Sequence, residues 1–565
     1  MQLPAPYNSH ALRAIEFDRI REIVSSLADS PEGKSILAGI LPLGDISQVT
    51  MLLKEVDEVI QALRFDDPLP GLSLHDIREV FPLMGVQGYR LEIEAIVAIA
   101  ENLSIAGDLS DYFTDRAEKY PLVGEIAARI VPHQEIVKTI RKVINPDLSI
   151  SDDASPQLHS IRRKLERAKA SLRSLVEKTL NSLSDEIVGE RVITLRNGRF
   201  VIPVRDSMKN RVQGAVHDRS QTGQTLFIEP LASIEGNNQV RELELAEQEE
   251  INRILLELSA LISRAAEDIS RNQGILVRLD VILAKSRYGV ITEGSVPRIS
   301  DNLTMTIKKG RHPLLDWKYR KRNDGSRVTP LDMEIGESVV TMVITGPNAG
   351  GKTVVLKTVG LLTAMALSGM PVPAGEGTTV FLPFGIYADI GDEQSIEDDL
   401  STFSSHIKQI VTILREAGRG SLVLLDELGG GTNPADGEAI ALAVLRRLTT
   451  LGAITLASTH HGGLKVFAHE TERVANASMQ FDSTQLRPTF VFRTGIPGSS
   501  YAFEIAARMG MPESVLRDAE SLAGSERKSL ENLILEMDQR VRQADEECRK
   551  AESERIRMEM EKEKY

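Results

Sequence analysis

The sequence predicts a multidomain protein. A helical front half carries two long helices with a small β module between them, an α/β phosphate-loop domain follows, and a charged coiled-coil helix comes last. Three observations carry this. The first is Gly346-Pro347-Asn348-Ala349-Gly350-Gly351-Lys352-Thr353, a Gly-x4-Gly-Lys-Thr loop between an apolar run (Val339, Val340, Met342, Val343, Ile344) and a helix-forming run from Val354 to Leu362. The second is Ser421-Leu422-Val423-Leu424-Leu425-Asp426-Glu427, an apolar strand ending in two carboxylates. The third is apolar spacing by three and four in two long stretches on either side of a hairpin signal.

A chain of 565 residues exceeds one ordinary domain, so three or four are expected, and 42% hydrophobic residues supply their cores. The net charge of −14 excludes an overall nucleic-acid coat and confines any such contact to a local basic patch. A single cysteine, Cys548, excludes a disulfide framework and a cysteine metal site. No secretory signal and no apolar run of bilayer length occur, so a cytoplasmic protein without membrane contact is expected.

Residues 1–150 read as short amphipathic helices, with Ile15, Phe17, Ile20 and Ile23 on one face, then Val49, Leu52, Leu53, Val56, Val59, Ile60 and Leu63. The segment 151–299 opens at Ser155-Pro156, a cap followed by proline at the first helical position. Leu158, Ile161, Leu165, Ala168, Leu172 and Leu175 then give a coiled-coil spacing. A second such helix is expected from about Asn238 into the 270s, through Leu245, Ile251, Leu255, Leu258 and Ile262, paired antiparallel with the first. Between these arms, at about 188–235, Arg191 to Leu195 and Phe200 to Val204 flank Arg196-Asn197-Gly198-Arg199, and short strands follow at 214–216 and 225–228. Arg191, Arg196, Arg199, Arg205, Lys209, Arg211 and Arg219 stand there against Glu190, Asp206 and Asp218. This local basic surface is the best candidate in the chain for a phosphate backbone, and an ordinary solvated hairpin is the alternative.

The nucleotide domain is placed at 300–525. A strand, a glycine turn and a helix start aim N–H groups and a positive helix end at one point, which binds polyphosphate. Lys352 would reach the β- and γ-phosphates of ATP and Thr353 would sit on Mg²⁺. Asp426 would hold Mg²⁺ directly or through water, and Glu427 would orient or deprotonate the attacking water. Leu400 to His406 opens a further helix with Ser401 and Thr402, which cap it or offer N–H groups to a phosphate. A strand ends at His460-His461, where a histidine can sense the γ-phosphate. From 526 to 565, Leu530, Ile534, Met537, Val541, Ala544, Cys548 and Ala551 again hold a three-four spacing.

With these pieces assembled the chain resembles the MutS family, in its bacterial type-two branch. The residues carrying this are Thr345 through Val354, Ala388 to Ile396, Ser401-Thr402-Phe403, Leu424 to Gly429, Gly498 to Ala506, the tip segment 191–203 and Thr225 to Pro230. The resemblance implies that the early helices are core and levers, that the β tip is a clamp on nucleic acid, and that 300–525 is an ATPase of the ABC superfamily. It implies a homodimer with composite ATP sites, in which Ser401 and Thr402 reach the partner's γ-phosphate. His460 matches the family's switch histidine, while His461 stands where tyrosine is usual. The core helices begin almost at Met1, which leaves no room for mismatch-reading domains. The usual carboxy-terminal Smr domain is not expected within these residues, so nuclease activity attaches to the family rather than to them. The expected function is a clamp on branched or junction-like DNA that restrains homologous recombination. The alternative is a ribosome-associated ATPase acting on collided ribosomes and rRNA. A structural scaffold fits the intact nucleotide motifs poorly, and a transporter subunit fits the inserted arms poorly.

Overall fold

Ser155 accepts the Leu158 N–H at 3.0 Å and Pro156 takes the first helical position, so a helix opens there and runs Pro156–Ser182. The computed structural model describes residues 7–86, 88–322, 324–347, 350–391, 402–482, 487–498, 506–507 and 509–522. The coiled-coil segment expected from residue 526 lies outside them. Two compact units divide the chain. One comprises 70–117 and 124–277, and the other takes the described residues of 1–69, of 118–123 and from 278 onward.

In the first unit, Leu158, Leu165 and Leu172 recur every seven residues and are buried, as are Val176 and Leu180. Each such burial contributes about 1.5–3 kcal/mol. Leu175, expected in this stripe, is 38% exposed, because the stripe advances by four residues to Val176. The facing helix is Ile234–Arg264. Ser155, Arg162 and Lys169 meet Glu250, Glu247 and Glu244 at 2.6, 2.7 and 2.8 Å, a descending series that makes the pair antiparallel. The second long helix does not continue unbroken into the 270s. It turns at Ala265 (φ −102°, ψ 8°), and Ala266–Ile291 follows. Neither glycine nor proline stands at the turn, so no local signal announces it.

The β module of this unit follows its turn chemistry. Thr194–Arg196 and Arg199–Arg205 pair antiparallel across Asn197-Gly198, whose φ values of 51° and 72° suit a two-residue hairpin. Thr225–Pro230 joins next and Gly214–Arg219 completes a four-stranded antiparallel sheet. Ile202, Val204, Leu226 and Ile228 share one core with Leu172, Val176, Leu180 and Val240.

The second unit centres on a six-stranded sheet in the order Ile386–Asp389, Leu422–Leu425, Ile454–Ser458, Thr341–Thr345, Val474–Asp482, Arg487–Thr494. Its first five strands are parallel and the last is antiparallel. Alternate residues feed two cores, Met342, Ile344, Leu422 and Leu424 on one face, Val343, Val423 and Leu425 on the other. Every residue of Thr341–Thr345 is buried, as a strand covered on both faces requires. The helix Lys352–Leu367 covers one face through Leu356, Val359 and Leu362, and Pro434–Leu451 covers the other through Leu445 and Leu448. Ile15, Phe17 and Ile20 are fully buried in the same core as Leu356. A second sheet orders Arg298–Ser300, Thr379–Phe381, Met305–Gly310, Leu331–Ile335. Among the described residues no helix is long and apolar enough to cross a membrane.

Candidate functional site

Parallel strands place their carboxyl ends on one edge of a sheet, and that edge is where α/β ligands bind. Here it collects the expected residues. The strand Thr341–Thr345 runs into Gly346 (φ 135°), and Gly351 (φ 96°) precedes the helix Lys352–Leu367, both in conformations that favour glycine. The neighbouring strand Ile454–Ser458 leads to His460, the next leads to Asp426 and Glu427, and the outermost ends at Asp389.

Lys352, Thr353, Asp426, Glu427 and His460 are brought together. Lys352 Nζ donates to the Gly346 carbonyl at 2.9 Å and lies 2.9 Å from His460 Nε2. Burial pushes its ammonium down to about 8, against the pull of Glu427 and Asp426. Burial, and then the Lys352 charge, hold His460 below its ordinary value, so a neutral ring accepts from lysine. His460 Nε2 stands 3.8 Å from Glu427 Oε1. Thr353 Oγ1 donates to Asp426 Oδ2 at 2.6 Å. Two oxygens in adjacent octahedral positions on Mg²⁺ stand about 2.9 Å apart, given metal–oxygen bonds of about 2.05 Å. The spacing of this pair would therefore fit one Mg²⁺ after a shift of a few tenths of an ångström.

Glu427 has φ 45°, a strained value for a residue with a side chain. It is held there by Ser458, whose hydroxyl accepts the Glu427 N–H at 2.9 Å and donates to Asp426 Oδ1. The Asp426 N–H adds a bond to the Asp389 carbonyl at 2.8 Å, and His406 Nδ1 lies 2.9 Å from Asp389 Oδ2. His461 Nε2 lies 3.1 Å from the Gly429 carbonyl and pins the glycine loop after Glu427. The chain returns at Gly498, whose N–H donates to Thr345 Oγ1 at 2.7 Å and whose carbonyl accepts from Lys465 at 2.6 Å. Asn348, Ala349, Ser401, the stretch 392–396 and the stretch 499–505 lie outside the described residues. Thr402 begins the helix Thr402–Glu416.

Sequence reasoning passes over Ser458, Asp389 and His406, because their roles depend on pairing between strands far apart in the chain. It also misses a cavity of about 190 Å³ beside the first turn of the phosphate-loop helix. Gly351, Val354, Val328, Met479, Phe490 and His312 are among its lining. Burial pushes His312 down to about 4, and its Nδ1 has no hydrogen-bond partner among the described residues. Pro347 accepts the Gly350 N–H at 2.9 Å and closes the loop at its near side.

The candidate nucleic-acid residues belong to the other unit and are of two kinds. Arg196 pairs with Asp218 at 3.1 Å and lies over the Phe227 ring at 4.4 Å. Arg199 bonds to buried Glu229 and to Asn238, both at 2.7 Å. Arg191 meets Asp185 at 2.7 Å and Arg219 meets Asp206 at 3.2 Å. Arg205, Lys209 and Arg211 are exposed and form no ion pair among the described residues. Asp185 and Glu229, not in the charge count taken from the sequence, hold Arg191 and Arg199, and with Asp218 on Arg196 and Asp206 on Arg219 they leave those three unpaired.

The family description MutS domain V matches residues 342–525. A protein named Endonuclease MutS2 from Pelotomaculum thermopropionicum is 41% identical over 542 residues, covering 96% of this chain and 68% of its own. The protein of that name from Clostridium acetobutylicum is 38% identical over 560 residues, covering 99% and 70%. That from Geobacillus sp. is 38% identical over 544 residues, covering 96% and 68%.

Proposed function

This chain belongs to the MutS family, in its type-two branch, and we propose that it is an ATP-hydrolysing homodimer that clamps branched DNA and restrains recombination. The observation that carries the ATPase reading is the meeting of Lys352, Thr353, Asp426, Glu427 and His460 at one sheet edge. In this reading Gly346 through Val354 wrap the phosphates in backbone N–H groups. Thr353 and Asp426 would hold Mg²⁺, which would supply charge neutralisation for the phosphates. Glu427, fixed by Ser458, orients the attacking water and takes its proton. His460, beside Glu427, and Lys352 face the γ-phosphate, and the neutral ring reports its loss. The cavity lined by Val328, Met479 and Phe490 takes the base, since it is apolar, adjoins Gly351, and offers the neutral His312 ring as a hydrogen-bonding group.

The 300–525 segment then acts as an ABC-type ATPase whose Ser401 and Thr402 complete the partner's site. The β module acts as the clamp, with Arg205, Lys209 and Arg211 on the phosphate backbone and Arg196 and Arg199 shaping the surface. The endonuclease in the relatives' printed name is said of those proteins, and the chemistry proposed for this chain is ATP hydrolysis. The test is binding to a four-way DNA junction against co-sedimentation with ribosomes, each with and without ATP. Tight, salt-sensitive junction binding that responds to ATP supports the reading. Ribosome binding with no junction binding overturns its DNA half in favour of an RNA clamp.

A further inference from the structure

Residues 308–327 carry eight basic side chains against two acids, Asp316 and Asp324, in a chain whose net charge is −14. The helix Pro313–Arg322 explains how they are arranged. It buries Pro313, Leu314 and Asp316, and Trp317 stacks on the buried Tyr288 at 5.8 Å between centroids. Spacing by three and four then leaves Lys318, Lys321 and Arg322 together on the exposed side. Arg311 and Arg320 are occupied, each bonding to the buried Asp316 carboxylate at 2.9 Å, and Arg320 also meets Glu293, from outside this stretch, at 3.1 Å. The others are not. Lys308, Lys309, Lys318, Arg322 and Arg327 are exposed and form no ion pair among the described residues, and Lys321 lies over the Trp317 ring at 5.3 Å. Lys309, Arg311, Arg320 and Arg327 line an open depression of about 610 Å³ together with Tyr319, Glu293 and Asp316, so its cations already face two carboxylates.

Like charges repel one another, and the helix side that keeps Lys318, Lys321 and Arg322 together gains most from a polyanion. We propose that this face is a second contact for the phosphodiester backbone of a nucleic acid, carried by the nucleotide-binding unit itself. It goes beyond the clamp, and only its choice of ligand rests on the nucleic-acid reading above. The cations stand on long stems spread over a helix face, a strand and a loop, which suits charges repeated along a strand. A small anion would need buried, converging donors, and a protein partner would need an apolar centre that the exposed side of this helix lacks. The contrast with the β module is direct, for there most arginines already hold a carboxylate.

The experiment compares four proteins by anisotropy with labelled duplex and four-way junction over a series of salt concentrations. They are the parent, the triple variant Lys318→Gln/Lys321→Gln/Arg322→Gln, the triple variant Arg205→Gln/Lys209→Gln/Arg211→Gln, and the two combined. Thermal melting checks that each is folded, and ATP turnover without nucleic acid should be unchanged in the first triple variant. That variant should lose about 3 from the log–log salt slope and roughly a hundredfold in affinity at low salt, similarly for both substrates. A slope and affinity equal to the parent's, with the second triple variant weakened, would overturn this inference and leave the clamp standing. A parent that binds neither substrate at low salt would remove the nucleic-acid reading as a whole. Retention of poly-glutamate that is lost in the first triple variant, with an unchanged nucleic-acid slope, would assign the face to acidic proteins and overturn the proposal.

Discussion

Ser458 offers the sharpest perturbation of the candidate catalytic carboxylate. Its hydroxyl is fully buried and joins two groups, accepting the Glu427 N–H and donating to Asp426. Ser458→Ala removes one oxygen and adds nothing that must be accommodated. The Glu427 N–H is then left without its acceptor at a residue already strained by φ 45°, and Asp426 loses a donor. Leaving a buried polar group unmatched costs about 1–3 kcal/mol. If that cost falls on the geometry of the water-activating carboxylate, the barrier rises by the same amount, roughly a 5- to 150-fold loss in kcat. ATP binding should change little, because Lys352 and the loop keep their contacts. The assay is steady-state ATP hydrolysis beside nucleotide binding by fluorescence, with melting to confirm a folded protein. A kcat within about twofold of the parent in a normally folded variant would refute the argument that Ser458 positions Glu427.

Other outcomes follow from the same geometry. Lys352 has its folded pKa pushed to about 8 from an ordinary 10.5. Between those values the unfolded chain binds more protons, so stability rises with pH across that window, whereas ATP affinity should fall as pH climbs above about 8 and the ammonium is lost. Nucleotide titrations across this range check it, and Lys352→Met should abolish the dependence. Arg199→Glu should destabilise the β module by about 1–3 kcal/mol, because it sets a carboxylate against buried Glu229, and melting would reveal it. Reversal of Arg205, Lys209 and Arg211 should instead weaken nucleic-acid binding with little change in melting. Mixing Lys352→Ala with a Ser401→Ala/Thr402→Ala protein should restore one intact ATP site per heterodimer, and no recovery in verified heterodimers counts against composite sites.

Much of this was legible in the chain because the signals were local. The phosphate loop, the acidic strand end and the Asn197-Gly198 turn each depend on a few consecutive residues, and the strands, the helix start at Lys352 and the hairpin stand where those residues put them. What stayed hidden depends on distant pairing. Ser458 reaches Asp426 only because two strands are neighbours in a parallel sheet. Asp389 joins them through one further strand. Ile15, Phe17 and Ile20 pack in the core of the nucleotide-binding unit, which a helical face alone could not indicate. The break at Ala265 lacks a glycine or proline to mark it. The charge pairing of the β module was hidden for the same reason, since Asp185 precedes the module in sequence and Glu229 reaches Arg199 only through strand pairing across the sheet. The cavity beside Gly351 is lined mostly by apolar residues from segments far apart in the chain, which no motif gathers.

The most direct measurement of the central claim is ATP binding and turnover by Glu427→Ala. Glu427 sits at the sheet edge with Lys352, Thr353 and Asp426, yet makes none of the contacts assigned to holding phosphate or Mg²⁺. Its removal should leave the dissociation constant for ATP within about threefold of the parent and lower kcat by roughly a hundredfold or more, since only water activation is lost. Hydrolysis at the parental rate, with ATP still bound, would contradict the assignment of this edge as the catalytic centre.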